Sequence, residues 1–210
     1  MFRREFGQLP SLVRAVAEGD TARADLVGGH IQLLCALLHS HHSGEDELLW
    51  PRLLERGSDE IAPIVHLAEA QHEAVDKGIT DINEALPMWR STASVAGRDG
   101  IGDAVERLYG PLVEHLDMEE QQILPLAEKY VTAAEWQELG QHSMAGLPKN
   151  RLPLLFGMTM YEGDPEVMKE IIATMPLLPR LLMPTLAPRL FASYAKRIHG
   201  TSTPNRVASR

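Results

Sequence analysis

A single cysteine, Cys35, stands among 210 residues, which excludes an internal disulfide and any thiolate metal cage. A metal held by this chain must therefore take imidazole and carboxylate ligands, a set that suits iron, manganese or zinc. Basic charge is short as well: 20 Lys and Arg face 29 Asp and Glu, for a net charge of -9. General attraction to nucleic acid or to an anionic membrane is not expected of such a surface. Long apolar runs are missing too. The most apolar stretch, 175–191, contains Arg180, Arg189 and four prolines, which argues against a membrane span. The opening residues, Met1-Phe2-Arg3-Arg4-Glu5-Phe6, carry no apolar core of signal-peptide length, so the expectation is a cytoplasmic protein. No run keeps a strand's alternation for long, which leaves an all-α chain. What the chain does have is nine histidines and 44% hydrophobic residues, enough of the latter to bury a sizeable core.

The apolar spacing predicts a helix over 2–17, with Pro10 perturbing its middle, and a turn with an N-cap at Gly19-Asp20-Thr21. A long helix then runs to about residue 56, weakest at Gly28-Gly29. A third begins at Ser58-Asp59 and is ended by Pro87, the Gly-, Ser- and Thr-rich stretch 91–102 reads as a loop, and a fourth helix spans about 103–130. Thr132-Ala133-Ala134-Glu135 is a capping box that starts a short helix, and Gly146, Pro148 and Pro153 interrupt the chain after it. Asp164-Pro165-Glu166 starts the first of two more helices, over 165–175 and 178–198. The organisation is thus an up-down four-helix bundle over 1–145 and a C-terminal helical extension over 146–210. In that extension the methionines read as flexible apolar filling.

Two stretches share one plan. His41 is followed by Glu45 at the fourth position, Asp46 at the fifth and Pro51 at the tenth; His115 is followed by Glu119, Glu120 and Pro125 at the same intervals, 74 residues later. On a helix, residues four apart lie one turn apart on one face, so each stretch offers an imidazole beside a carboxylate. Facing pairs in a bundle, joined by His72 from the third helix, form a two-metal set in which a Glu can bridge both ions. Each proline is expected to bend or end its helix about two turns beyond the metals.

The other polar residues separate by position. His30 precedes His41 by 11 residues, about 16 Å along a continuous helix, so one cluster cannot use both unless Gly28-Gly29 breaks the helix. His42 points about 100° away from His41 and is expected to support the ligands or face solvent. Asp46 and Glu120 are placed to orient a neighbouring imidazole. Glu120 is also an alternative to Glu119, and Asp76, one turn after His72, is a further candidate ligand. His39, His66, His142 and His199 read as ordinary residues, and Trp50 as core packing.

His41-x-x-x-Glu45, His72 and His115-x-x-x-Glu119 resemble the hemerythrin-like, HHE cation-binding family, in its actinobacterial type with a C-terminal helical extension. The resemblance covers about 1–145. It differs from ferritin-like carboxylate proteins, whose Glu-x-x-His motif runs in the opposite order. It implies a non-haem diiron centre, two Fe ions bridged by carboxylate and oxide, held by His41, Glu45, His72, His115 and Glu119. It further implies a small diatomic or peroxide ligand: peroxide, nitric oxide or dioxygen.

Oxygen-carrying members place a second His where this chain has Asp76, so peroxide or nitric oxide handling is the stronger expectation. The family also takes a ligand from its first helix, from a His just ahead of an FRREF-like segment. Here that segment follows Met1 directly, and two expectations follow: either the start is truncated relative to the family, or the iron bound by His41 has an open or water-filled position. For a proton donor the candidates are Asp76, Glu120 and His42. Two other functions fit the residues: an iron- or oxygen-sensing module whose extension docks a protein partner or a second copy, and a bundle with impaired metal binding.

Overall fold

The computed structural model describes residues 1–57 and 61–206, and among them there is helix but no strand. The chain forms two compact units, Phe2–Gly146 and Leu147 onward. The expected helix start at Ser58-Asp59 lies outside the described residues.

In the first unit, α1 (Phe2–Arg14), α2 (Thr21–Gly44), α4 (Ala62–Thr92) and α5 (Val95–Met118) are the bundle. α1 packs on α2 and α5, and α4 packs on the same two. Asp20 caps α2 by accepting from the Arg23 N–H, which satisfies one of the amides a helix start leaves free. Two short helices continue the long ones past their motifs, α3 (Trp50–Arg56) after α2 and α6 (Leu124–Tyr130) after α5. Helix α7 (Ala133–Ala145) begins in the Thr132/Glu135 capping box. It lies close against α2, where Ser40 Oγ donates to the Ser143 carbonyl at 2.6 Å.

One end of the bundle is closed by Leu49, Trp50, Leu53, Val65, Ala68, Met118, Ile123, Ala127 and Leu139, all buried. Removing this much apolar surface from water supplies most of the driving force there, at about 25 cal/mol per Å².

The third and fourth helices depart from the sequence expectation. Pro87 does not end α4, which runs to Thr92; Pro87 lies on the exposed face, where water can take the carbonyl it frees. Burial of Trp89, 1% exposed, and the bond from Arg90 Nε to Asp25 at 2.9 Å hold the last turn in place. The expected loop over 91–102 is only a tight reversal. Ala93 adopts a left-handed φ of 46°, and Ser94 caps α5 by accepting from the Gly97 N–H. Buried Ile101 and the pairing of Arg14 with Asp103 and Glu106 outweigh the low helix propensity of the glycines there. Gly28 and Gly29 likewise do not break α2; a Cβ on Gly28 would sit 2.6 Å from Arg90 Cγ, so the glycine admits that side chain.

The second unit holds α8 (Leu152–Glu162), α9 (Pro165–Thr174) and α10 (Leu177–His199). α9 starts on the expected Asp164 cap, whose carboxylate accepts from the Glu166 and Val167 amides. α8 was not expected from the sequence, since Pro153 reads as a break; it stands instead in the helix's first turn, where its missing N–H costs nothing. α8 and α10 meet through Gly157, at which a Cβ would lie 2.2 Å from the Ala187 carbonyl oxygen. Met158 and Met168 are buried, as apolar filling.

Candidate metal centre

Both carboxylates of the cluster are delivered where a regular helix changes pitch, while His72 comes from the uninterrupted α4. α2 gives way at Glu45 to a π-turn, Glu45–Leu49, and α5 does the same at Glu119 with Glu119–Ile123. In both, the closing N–H reaches back five residues, from Trp50 to the Glu45 carbonyl and from Leu124 to the Glu119 carbonyl. Pro51 and Pro125 each follow directly. A proline ring crowds the carbonyl four residues before it and brings no N–H, so the preceding turn widens. The irregularity therefore falls on the carboxylates themselves, a frequent place for such turns. The prolines do not end the helices; each lies within a seven-residue helix that follows the π-turn.

The paired motifs do converge. Glu45 Oε2 lies 3.6 Å from both His41 Nε2 and His72 Nε2. Glu119 Oε1 lies 3.2 Å from His115 Nε2 and 3.8 Å from His41 Nε2. Thus each carboxylate stands between two imidazoles from different helices. One ligand atom each from Glu45, His72, His115 and Glu119 falls within 4.8 Å of the others. All four residues are buried, and His41 is the exception, with a side chain 34% exposed and its ring 5.9 Å from that of Phe2.

Behind the rings stand acceptors that fix them. His72 Nδ1 is 2.7 Å from Asp46 Oδ1, which also accepts from Trp50 Nε1 at 2.8 Å. His115 Nδ1 is 3.3 Å from Gln71 Oε1. With Nδ1 held as the donor, each ring presents the bare Nε2 to the cluster, the arrangement that suits a metal-ligating His.

Electrostatics favour a cation here. Burial, and then the adjacent Glu119 carboxylate, push Glu45 well above its ordinary value. On Glu119 burial works upward too, but the His115 and His41 imidazoles outweigh it and hold that carboxyl low. Burial likewise lowers His72 and takes His42 down to about 4, so both rings are neutral at pH 7 with lone pairs free. His72 Nε2, His115 Nε2, Glu45 Oε2 and Glu119 Oε1 make no hydrogen bond of acceptable geometry among the described residues. Buried acceptors facing one another are costly unless something positive lies between them. The residues present fit a metal.

Several sequence expectations change. His42 neither faces solvent nor stands apart: it is fully buried, stacked on His72 at 4.0 Å and edge-on to His115 at 4.9 Å. The signal was available, because Ile31, Leu34, Cys35, Leu38, His42, Glu45 and Leu49 form one buried ladder at helical spacing. It is His42 that continues this ladder, with His41 on its edge. Glu120 is no alternative to Glu119, since Arg3 binds it through two nitrogens at 2.6 and 3.1 Å and so turns it outward. Asp76 does not join the four; its carboxylate stands 3.8 Å from His42 Nδ1 and 3.5 Å from His39 Nδ1, and those rings hold it below its ordinary value. His30 stays out of the cluster, buried with Nε2 3.2 Å from Glu5 Oε2. His66 is exposed, and His142 lies 3.6 Å from Glu47.

The family model for the hemerythrin HHE cation binding domain matches residues 1–127, and the chain belongs to that family. No curated protein and no solved structure matches it significantly. The domain is a metal-binding helical bundle, and the residues that could hold the cation are the buried His and Glu just described. Among the described residues no helix is long and apolar enough to cross a membrane.

Proposed function

We propose that this bundle holds two iron ions through His41, Glu45, His72, His115 and Glu119, and that the centre binds or reacts with peroxide, nitric oxide or dioxygen. One observation carries the reading: both Glu45 and Glu119 stand between His41 and an imidazole of another helix, at 3.2–3.8 Å. Two ions set side by side supply redox chemistry and a shared binding position for a small molecule. The chain's own contribution is to hold that position. Asp46 and Gln71 fix the His72 and His115 rings, the apolar end built on Trp50 and Leu53 keeps water out, and half-exposed His41 marks the side that faces solvent. The test is to load the protein with ferrous iron anaerobically, confirm two ions per chain, and add peroxide, nitric oxide and oxygen in turn. A change in absorption or consumption of one of them supports the reading. Fully loaded protein inert to all three would overturn it.

A second reading concerns the extension, whose α10 exposes Leu177, Leu178, Leu181, Leu182 and Leu186 by 40–70%. Residues 171–206 carry five basic side chains and no acid, whereas the whole chain is at -9. That complementarity fits docking on the acidic surface of a second copy, as a module reporting the metal state would require. Sedimentation of apo and iron-loaded protein tests it: a dimer that Leu178→Gln with Leu182→Gln dissociates supports it, and a monomer throughout counts against it.

A further inference from the structure

One buried ring in the bundle has no role in the five-residue set. His42 is fully buried, and neither of its ring nitrogens makes a hydrogen bond among the described residues. Stacking on His72 at 4.0 Å accounts for the face of the ring. It does not account for the nitrogens, which are costly to bury unmet. The groups facing His42 are Asp76 and His72 from α4, His115 from α5, and His41 on its own helix. Of these Asp76 is the one carboxylate, and at 3.8 Å from Nδ1 it is beyond a hydrogen bond. A ring nitrogen of His42 does lie within 4.8 Å of one from His72 and one from His115. Ring nitrogens of three imidazoles from three helices thus face one another without a hydrogen bond of acceptable geometry between them.

We propose that His42 is a metal ligand, forming with His72 and His115 a three-nitrogen face for the more deeply buried of two ions. The inference rests on the reading that the bundle binds metal. The further imidazole thus comes from α2, one residue along from His41. The two positions are then unequal. The buried one draws on three imidazoles together with Glu45 and Glu119, while the other draws on His41 and the same two carboxylates. Nitrogen-rich sets hold late first-row divalent ions tightly, so the buried position fills first.

Cobalt(II) is the probe, titrated into apo protein and followed by its visible absorption, with metal content per chain measured in parallel. The wild-type chain is expected to take up two ions in separable steps. In His42→Ala and in His42→Phe, which keeps a ring for stacking, the first step weakens on the order of 10–100-fold and its absorption band shifts. His41→Ala weakens the second step and spares the first. If His42→Phe binds the first ion with wild-type affinity and an unchanged spectrum, His42 is only a packing ring and the proposal is wrong. A wild-type chain that binds no metal overturns the underlying reading instead, so the two failures are distinguishable.

Discussion

Individual side chains decide how the cluster works, and Asp46 shows this best. It holds His72 through Nδ1 and is itself held by the Trp50 indole, so ring orientation is tied to the core. Asp46→Asn removes the charge while keeping the shape, and metal affinity measured by chelator competition is expected to fall about 10–100-fold with little change in melting temperature. Spacing in the sequence was enough to single out His41, Glu45, His115 and Glu119, which the fold brings together, because a repeated interval of four residues is a statement about one helix face. It was not enough to rank neighbours. The choice of Glu119 over Glu120 depends on Arg3, 117 residues away, and the role of His42 depends on where the buried face of α2 is centred.

Cys35 gives a pH prediction at the same scale. Burial pushes its thiol up to about 12, against about 8.5 for a free cysteine. The folded state therefore keeps the proton where the unfolded chain loses it, and the stability this contributes declines as pH rises above about 8.5. At pH 8 a thiol reagent should label Cys35 slowly in the native protein and at once in denaturant; fast native labelling would show that α2 opens locally.

Helices pose a different problem, since their ends were the least legible part of the sequence. Pro87 and the glycines of 91–102 are local breaking signals, and both were overridden by long-range anchors: buried Trp89, the Arg90–Asp25 pair and the Arg14 contacts with α5. Capping signals that act within four residues, at Thr132 and Asp164, were legible because nothing distant competes with them. The π-turns were half legible: the prolines announced an irregularity but not its place.

Ala93 holds a left-handed φ of 46°, a conformation that costs a residue with a Cβ about 1–2 kcal/mol. Ala93→Gly should raise stability by about 0.5–1 kcal/mol in denaturant unfolding. At the α8–α10 crossing the sign reverses. A Cβ on Gly157 would meet the Ala187 carbonyl, so Gly157→Ala should destabilise the second unit by about 1–3 kcal/mol, visible as early loss of helical signal on heating.

At the level of the whole molecule, the His and Glu cluster belongs to the unit Phe2–Gly146 and the leucine-rich, basic helix α10 to the other. The all-α class and the bundle were legible from periodicity and from the doubled motif, and the family match over residues 1–127 agrees with both. What periodicity could not give is how deeply each candidate ligand is buried, which depends on four helices packing at once. The central claim is that this bundle holds two ions between its paired carboxylates, and the most direct measurement is metal content. Apo protein loaded anaerobically with excess ferrous iron, desalted and assayed by mass spectrometry of the element should hold two irons per chain in the wild type and fewer than one in Glu45→Ala with Glu119→Ala. A wild-type content near zero, or a double variant that still holds two, would contradict it.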